Sequence, residues 1–416
     1  MVAMASFLPP ALSKPRFRLF ALGQAISIVG GWIQQIALSW LIYRLSGSVF
    51  LLGVSGFLTQ IPFLLLSPLA GALTDRVRRV RMLITVNVVL AVLASILAVM
   101  AALGVDDVRI YLALALCSGT ATAFETPARQ TLLSNIVEDR ALLPSAIGVN
   151  SMMFNIGRIL GPTIAGILLL RLPEAWCFAL NALSFGAVII ALIVMRLPDP
   201  LPERKEGQRG IALGETIGYL RKHPAARYLL PTVTAVAVFA LPYQHIMPSI
   251  AVDFFGGNTS TLGLLISSVG AGALVTAIVL AMQTGTRVQL LLVRFAPFAV
   301  AVTLIAFSQS RSLPLSMFLL AILGGSILMT SASTNTIMQQ SVEDAWRGRV
   351  IGVYVMCFVG MAPLGNLMTG AIAEHFGLGP TLAFNGIMIL IAVGFAQYRF
   401  ATDPTAMERL KADIGS

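Results

Sequence analysis

Apolar residues in this chain come in long unbroken blocks, and the gaps between blocks are short and polar or basic. A helix that crosses a bilayer needs about 20 consecutive apolar residues. Runs of that order lie near 17–43, 50–73, 80–104, 109–126, 146–170, 176–196, 228–251, 261–283, 287–308, 313–334, 350–373 and 380–400, which predicts twelve transmembrane helices. The longest polar stretch, Leu197 to Arg227, follows the sixth run, so the chain divides into a first six-helix half over 1–196, a linker over 197–227 and a second six-helix half over 228–416. Within the linker, Ile211 to Lys222 reads either as a short amphipathic helix on the membrane surface or as flexible chain. The expected fold class is an all-α polytopic membrane protein.

An internal repeat supports the division. Gly148-Val149-Asn150-Ser151-Met152-Met153-Phe154 matches Gly352-Val353-Tyr354-Val355-Met356-Cys357-Phe358 at a shift of 204, and the same shift carries Gly161 to Gly365, Gly166 to Gly370 and Asn181 to Asn385. Just upstream, Val137-Glu138-Asp139 matches Val342-Glu343-Asp344 at 205. Two homologous halves in parallel orientation place a transport path between them at mid-membrane.

Composition settles the class. The chain is 57% hydrophobic and 11% charged over 416 residues, with a mean hydropathy of +0.86, against roughly 25% charged for a soluble domain. A net charge of +10 would suggest nucleic acid in a soluble protein. Here the basic residues sit in short gaps between apolar runs, where they orient helices against the cytoplasmic leaflet, so nucleic-acid binding is excluded. Of the 28 Lys and Arg, 23 fall in the gaps assigned inward and 4 (Arg44, Arg109, Arg171, Arg311) in those assigned outward, which predicts both termini in the cytoplasm. Cys117, Cys177 and Cys357 all lie inside apolar segments without CxxC spacing and read as small core residues rather than a disulfide or metal framework. The start, Met1 to Pro15, lacks the layout of a cleavable signal peptide, so the first span is expected to stay in the protein.

Polar positions inside the spans are the candidate chemistry. In the fifth run, Gly157 and Gly161 form a small-xxx-small pair that admits a close neighbour, and Pro162 adds a bend. Arg158 is the one charge near mid-membrane; an arginine there costs about 2.5–3.5 kcal/mol on insertion scales, so it should face a cavity or an acid. Ser151, Asn155, Arg158 and Pro162 share one stripe, the first choice for a substrate or coupling face, with helix packing as the alternative role for Arg158. The fourth run repeats the spacing with Ser118, Thr122, Glu125 and Arg129; Glu125 can pair with Arg129 at i, i+4 or receive Arg76 from the loop. The first places Gln24, Gly31 and Gln35 on one stripe with Ser27 and Gln34 at its edge, suited to a cavity wall or to helix contacts. The seventh offers Thr232, Phe239 and Tyr243 on one face, with Pro242 and Pro248 expected to break the helix near its outer end. His245 is the only histidine inside a span, and a lone histidine is more often structural than a proton carrier.

Between the second and third spans stands Gly71-Ala72-Leu73-Thr74-Asp75-Arg76-Val77-Arg78-Arg79-Val80-Arg81. On its residues alone it is a topology anchor. It also resembles the signature loop of the major facilitator superfamily: Gly71, Asp75, Arg76, Arg79 and Arg81 fill that pattern, and Arg78 stands where a second glycine is usual. The resemblance implies that Asp75 sits against a helix end in the other half and helps lock the cytoplasmic face. Gly157, Gly161, Pro162, Ala165 and Gly166 resemble the motif of the superfamily's export branch. With Phe124-Glu125-Thr126-Pro127-Ala128-Arg129-Gln130 they resemble the branch called transmembrane secretion effectors, which includes the enterobactin exporter, and the likeness runs from Gln24 to Asn385 or beyond. One departure is Gly31, where many members carry an aspartate.

The resemblance implies the major facilitator fold, with two pseudo-symmetric halves, and a secondary active exporter of an amphipathic small molecule such as a siderophore, drug or secondary metabolite. An uptake symporter or facilitator, a non-transporting receptor and a membrane enzyme are the rivals. No Gly-x-x-x-x-Gly-Lys-Ser/Thr occurs, so proton antiport is the expected energy source and no bound cofactor or metal is expected. None of His223, His245 and His375 has an Asp five residues on, and no Gly-x-Ser-x-Gly occurs, which leaves an enzyme without a reactive group. Expected partners are the small-molecule substrate and the lipid bilayer. The expected state is a monomer in the bacterial inner membrane.

Overall fold

The computed structural model describes residues 9–74, 76–137, 139–199, 213–282 and 286–402, and regular structure among them is helical throughout. The first half holds α1 (Pro15–Ser46), α2 (Val49–Thr74), α3 (Arg79–Ala102), α4 (Val108–Val137), α5 (Leu143–Leu169) and α6 (Glu174–Val194). A linker helix, α7 (Leu213–Lys222), leads to α8 (Pro224–Ala235), α9 (Met247–Asp253), α10 (Thr259–Met282), α11 (Thr286–Gln309), α12 (Leu313–Gln340), α13 (Asp344–Val355), α14 (Ala362–Phe376) and α15 (Leu378–Ala401). Local chemistry sets several ends. Pro15 opens α1, where its missing N–H costs nothing. Gly47 closes it at φ 62°, donating its N–H to the Tyr43 carbonyl.

Eleven segments among the described residues are long and apolar enough to cross a membrane. The thirty-residue α4 has the length, but its serines, threonines, Glu125 and Arg129 make it too polar to meet that standard. With it, the twelve predicted runs are all accounted for.

The seventh run breaks around Pro242, as expected, whereas Pro248 breaks nothing and sits in the first turn of the next helix. α8 passes into a π segment, Val236–Ala240, then a 3-10 turn, Leu241–Gln244, and resumes as α9. The eleventh run breaks in the same way: α13 and α14 are joined by a second π segment, Met356–Gly360, which lies just ahead of Pro363. Leu213–Lys222 is helical, which favours the helix for that part of Ile211 to Lys222; Ile211 and Ala212 lie outside the described residues.

The described contacts fall into two compact units. One contains Met1–Gly47, Leu58–Arg204 and Gly257–Ser267. Its core gathers Phe17 and Phe20 of α1, Leu83 of α3, Leu132 of α4, Val149 of α5 and Leu192 of α6. At one end, Arg44 of α1 holds Glu174 of α6 at 2.8 Å. The other contains Ser48–Phe57, Lys205–Gly256 and Ser268–Ser416. Its core includes Tyr228 and Leu229 of α8, Ile337 and Met338 of α12 and Val350 of α13. There α7 is docked rather than free: the Tyr219 ring stacks on Trp346 with centroids 4.6 Å apart, and His223 shares a 2.7 Å hydrogen bond with the Ser341 carbonyl.

Candidate substrate and coupling site

The α5 glycines do what small residues in a membrane helix allow. A Cβ on Gly157 would come within 2.5 Å of Ile28 Cγ2, and one on Gly161 would overlap Trp32 Cβ, so α1 lies directly on this face. That contact brings the Trp32 ring under Arg158, whose guanidinium carbon is 5.7 Å from the ring centroid, within cation–π range. Arg158 is half-buried, Ser151 is exposed and Pro162 is buried. The side chain of Asn155 lies outside the described residues.

A second cluster forms where α4 meets α5. Arg129 Nε donates to Glu125 Oε1 at 2.8 Å, its Nη1 donates to Asn150 Oδ1 at 3.4 Å, and its guanidinium sits 4.8 Å from the Phe154 ring centroid. The two charged side chains are only 9% and 13% exposed. Of the two partners open to Glu125, the i, i+4 neighbour wins because both groups sit on one face a single turn apart. Arg76 does not take that place; its side chain is exposed and lines a basic cavity with Arg78 and Arg81.

On α1, Gln24 is buried with an Oε1 that has no partner among the described residues, and Gln35 is half-buried. The working contact belongs to Gln34, placed at the edge of the predicted stripe: its Oε1 accepts from Asn181 Nδ2 at 2.8 Å, and Ser184 donates to Asn181 Oδ1 at 2.9 Å. A Cβ at Gly31 would meet nothing within 4 Å, so the position has room for a side chain. Tyr243, in the other unit, is buried and accepts a 3.3 Å hydrogen bond from Gln244.

In the signature loop, Asp75 lies outside the described residues. Gly71 is half-buried in open space, Arg76 and Arg81 are exposed, and the buried Nε of Arg79 has no partner among the described residues. An unforeseen residue orders the start of α3: Asp199 accepts from the backbone N–H groups of Val80 and Arg81, each at 3.1 Å. A carboxylate is the expected occupant of a helix N-terminus. The legible signal was an acid isolated in a proline-rich stretch, but nothing along the chain pointed it at α3.

Also unforeseen are two glycine crossings. In the first unit, a Cβ on Gly166 of α5 would lie 3.0 Å from the Thr259 carbonyl oxygen and 3.1 Å from Gly263 Cα, and the Thr163 and Ser267 hydroxyls share a 2.6 Å hydrogen bond beside them. In the second unit, a Cβ on Gly53 of α2 would lie 2.5 Å from the Asn366 carbonyl oxygen and 2.9 Å from Gly370 Cα of α14. Gly166 and Gly370 are repeat equivalents, so the same repeat position supplies a glycine to each crossing. Around the second copy, Glu374 accepts from the Ser48 hydroxyl at 3.1 Å and the Phe50 N–H at 2.9 Å, fixing the start of α2. Beneath it, a Cβ on Gly56 would fall within 3 Å of both the His245 ring and the Asn366 amide. Asn366 is 1% exposed, and neither its amide nitrogen nor its amide oxygen has a partner among the described residues.

Comparison with known proteins completes the picture. Residues 5–413 match the family model described as transmembrane secretion effector. The staphyloferrin A transporter of Staphylococcus aureus is 28% identical over 367 residues, covering 86% of this chain and 90% of the relative. Macrolide efflux protein A of Streptococcus pyogenes is 24% identical over 397 residues, covering 91% and 94%. Among solved structures, a bacterial homologue of the human lysosomal transporter Spinster superposes with a TM-score of 0.72 at 14% identity, over 97% of this chain and 98% of that one, a likeness of fold.

Proposed function

This chain belongs to the transmembrane secretion effector family, and from that premise we propose that it exports an amphipathic small molecule, a siderophore, drug or secondary metabolite, by alternating access driven by proton antiport. It is a multi-pass membrane protein of a transporter family, which removes the enzyme reading. The observation that carries the coupling is the buried Glu125–Arg129 pair. An ionisable acid inside a membrane bundle is costly and marks a proton or substrate path by default. With Gly31 in place of the common aspartate, Glu125 is the acid this chain offers. Protonating Glu125 removes the charge that holds Arg129, and the freed guanidinium is left with Asn150 and Phe154 of α5 as its neighbours.

Arg158 stands two turns further along that helix and presents a fixed positive charge to an acceptor group on the substrate. The Gly166–Gly263 and Gly53–Gly370 crossings are the close helix contacts that the cycle would have to release, together with the Thr163–Ser267 and Glu374–Ser48 hydrogen bonds beside them. The protein sits in the bacterial plasma membrane with both termini in the cytoplasm, as the 23-to-4 distribution of Lys and Arg supports, and it works as a monomer.

Everted membrane vesicles with an acidic interior, challenged with siderophores, dyes and antibiotics, test this reading. Alkalinisation on adding one compound, absent in the Glu125→Gln protein, is expected. Substrate accumulation in the vesicles that is indifferent to collapse of the proton gradient would sink the antiport mechanism.

A further inference from the structure

The basic loop is more than a charge at the membrane surface. A cavity of about 610 Å3 opens between the end of α2, the start of α3 and the middle of α4. Arg76, Arg78 and Arg81 form its rim, and Met82, Val86 and Phe124 give it apolar walls. The three guanidinium groups are exposed, and among the described residues none pairs with an acid. Asp199, at the start of α3, is committed to the backbone N–H groups of Val80 and Arg81. Three exposed cations above an apolar pocket suit a ligand with an anionic head and a hydrocarbon body.

The surface of α3 identifies the source. Arg81, Thr85, Val88, Val92, Ile96 and Val99 recur at i, i+4, i+7, i+11, i+15 and i+18, one stripe of the helix. Val88, Val92, Ile96 and Val99 are 44%, 52%, 38% and 51% exposed, as a hydrocarbon-facing stripe should be. From Arg81 to Val99 the stripe rises about 27 Å, close to the roughly 30 Å thickness of a bilayer's hydrocarbon core. The cavity, lined by Arg81 and Thr85, is thus the polar end of a lipid-facing strip and sits at head-group depth. We propose that it binds one anionic phospholipid of the cytoplasmic leaflet, with the phosphate on Arg76, Arg78 and Arg81 and an acyl chain against Met82, Val86 and Phe124. Basic pockets between helices on the cytoplasmic side suit such head groups. The site does not depend on what the protein transports.

The test is native mass spectrometry of the full-length protein released from nanodiscs containing equal phosphatidylglycerol and phosphatidylcholine. One phosphatidylglycerol should be retained per chain in preference to phosphatidylcholine. Arg78→Gln with Arg81→Gln should weaken retention about 30-fold, at roughly fivefold per basic residue. Val86→Trp, which fills the cavity and leaves the charges, should abolish it, whereas Arg171→Gln, at the opposite end of the spans, should change nothing. Equal retention of both lipids, or retention untouched by Val86→Trp, would overturn the proposal. Displacement of the lipid by millimolar inorganic phosphate would also overturn it, since the site would then be one for free anions.

Discussion

Substituting Gly53 by alanine should loosen the start of α2 by an amount that can be worked from the crossing itself. The added methyl would sit 2.5 Å from the Asn366 carbonyl oxygen, about 0.9 Å inside the 3.4 Å at which ordinary contacts begin, and 2.9 Å from Gly370 Cα. Both obstacles are backbone, so neither can rotate away, and the helices must separate. Overpacking of this kind costs about 1–3 kcal/mol, while exchanging glycine for alanine in a helix returns up to about 1 kcal/mol. A net loss of about 1–2 kcal/mol corresponds to roughly a 5- to 30-fold rise in local opening. Hydrogen exchange in peptides spanning 48–57 reads that opening directly. Gly166→Ala, whose methyl would stand 3.0 Å from the Thr259 carbonyl oxygen, should show a smaller rise in peptides spanning 259–267. Gly148→Ala, with nothing within 4 Å, should leave exchange in its own segment unchanged or slower. Unchanged exchange in Gly53→Ala, or a rise as large in Gly148→Ala, would refute the steric account.

Three further outcomes are expected. Arg129→Leu strands Glu125 in a buried site and should cost about 3–5 kcal/mol of stability, with most of it recovered by adding Glu125→Gln; thermal melts in detergent check this, and a wild-type melt for the single variant would show the pair holds nothing. Arg158→Ala should abolish transport at normal membrane abundance, and retained transport would assign Arg158 to packing against Trp32. Tyr219→Ala removes the stack on Trp346, worth about 0.5–1.5 kcal/mol, so tryptic cleavage at Arg221 and Lys222 should quicken roughly two- to tenfold; an unaltered rate would mean that α7 is held by other contacts.

The spans and the break around Pro242 were legible in the sequence because each follows from residues adjacent along the chain, apolar length and a missing N–H, whereas amphipathic spacing alone left the linker open between helix and flexible chain. The pair Glu125–Arg129 was legible for the same reason, being one turn apart. What the sequence withheld depends on partners far away in the chain. Gly53 reads as an ordinary small residue until α14 is laid across it, and Asp199 reads as a linker acid until it is seen at the N–H groups of Val80 and Arg81, 119 and 118 residues away. Gln34 was set at the margin of a stripe because periodicity ranks residues by angle, and the angle at which α6 arrives is not written in α1.

The two π segments leave a mark of a different kind. Val236–Ala240 and Met356–Gly360 touch each other, so two neighbouring helices slacken their hydrogen-bond ladders at one level. A π turn is one of the few causes of a sharp helix kink. In the first half, α1 and α5 run through without such a turn. At the repeat shift of 204, Met356–Gly360 corresponds to 152–156, beside the polar stripe of α5. The repeat thus carries its charged positions on an unbroken helix in the first half and a kinked pair of helices at the corresponding level of the second.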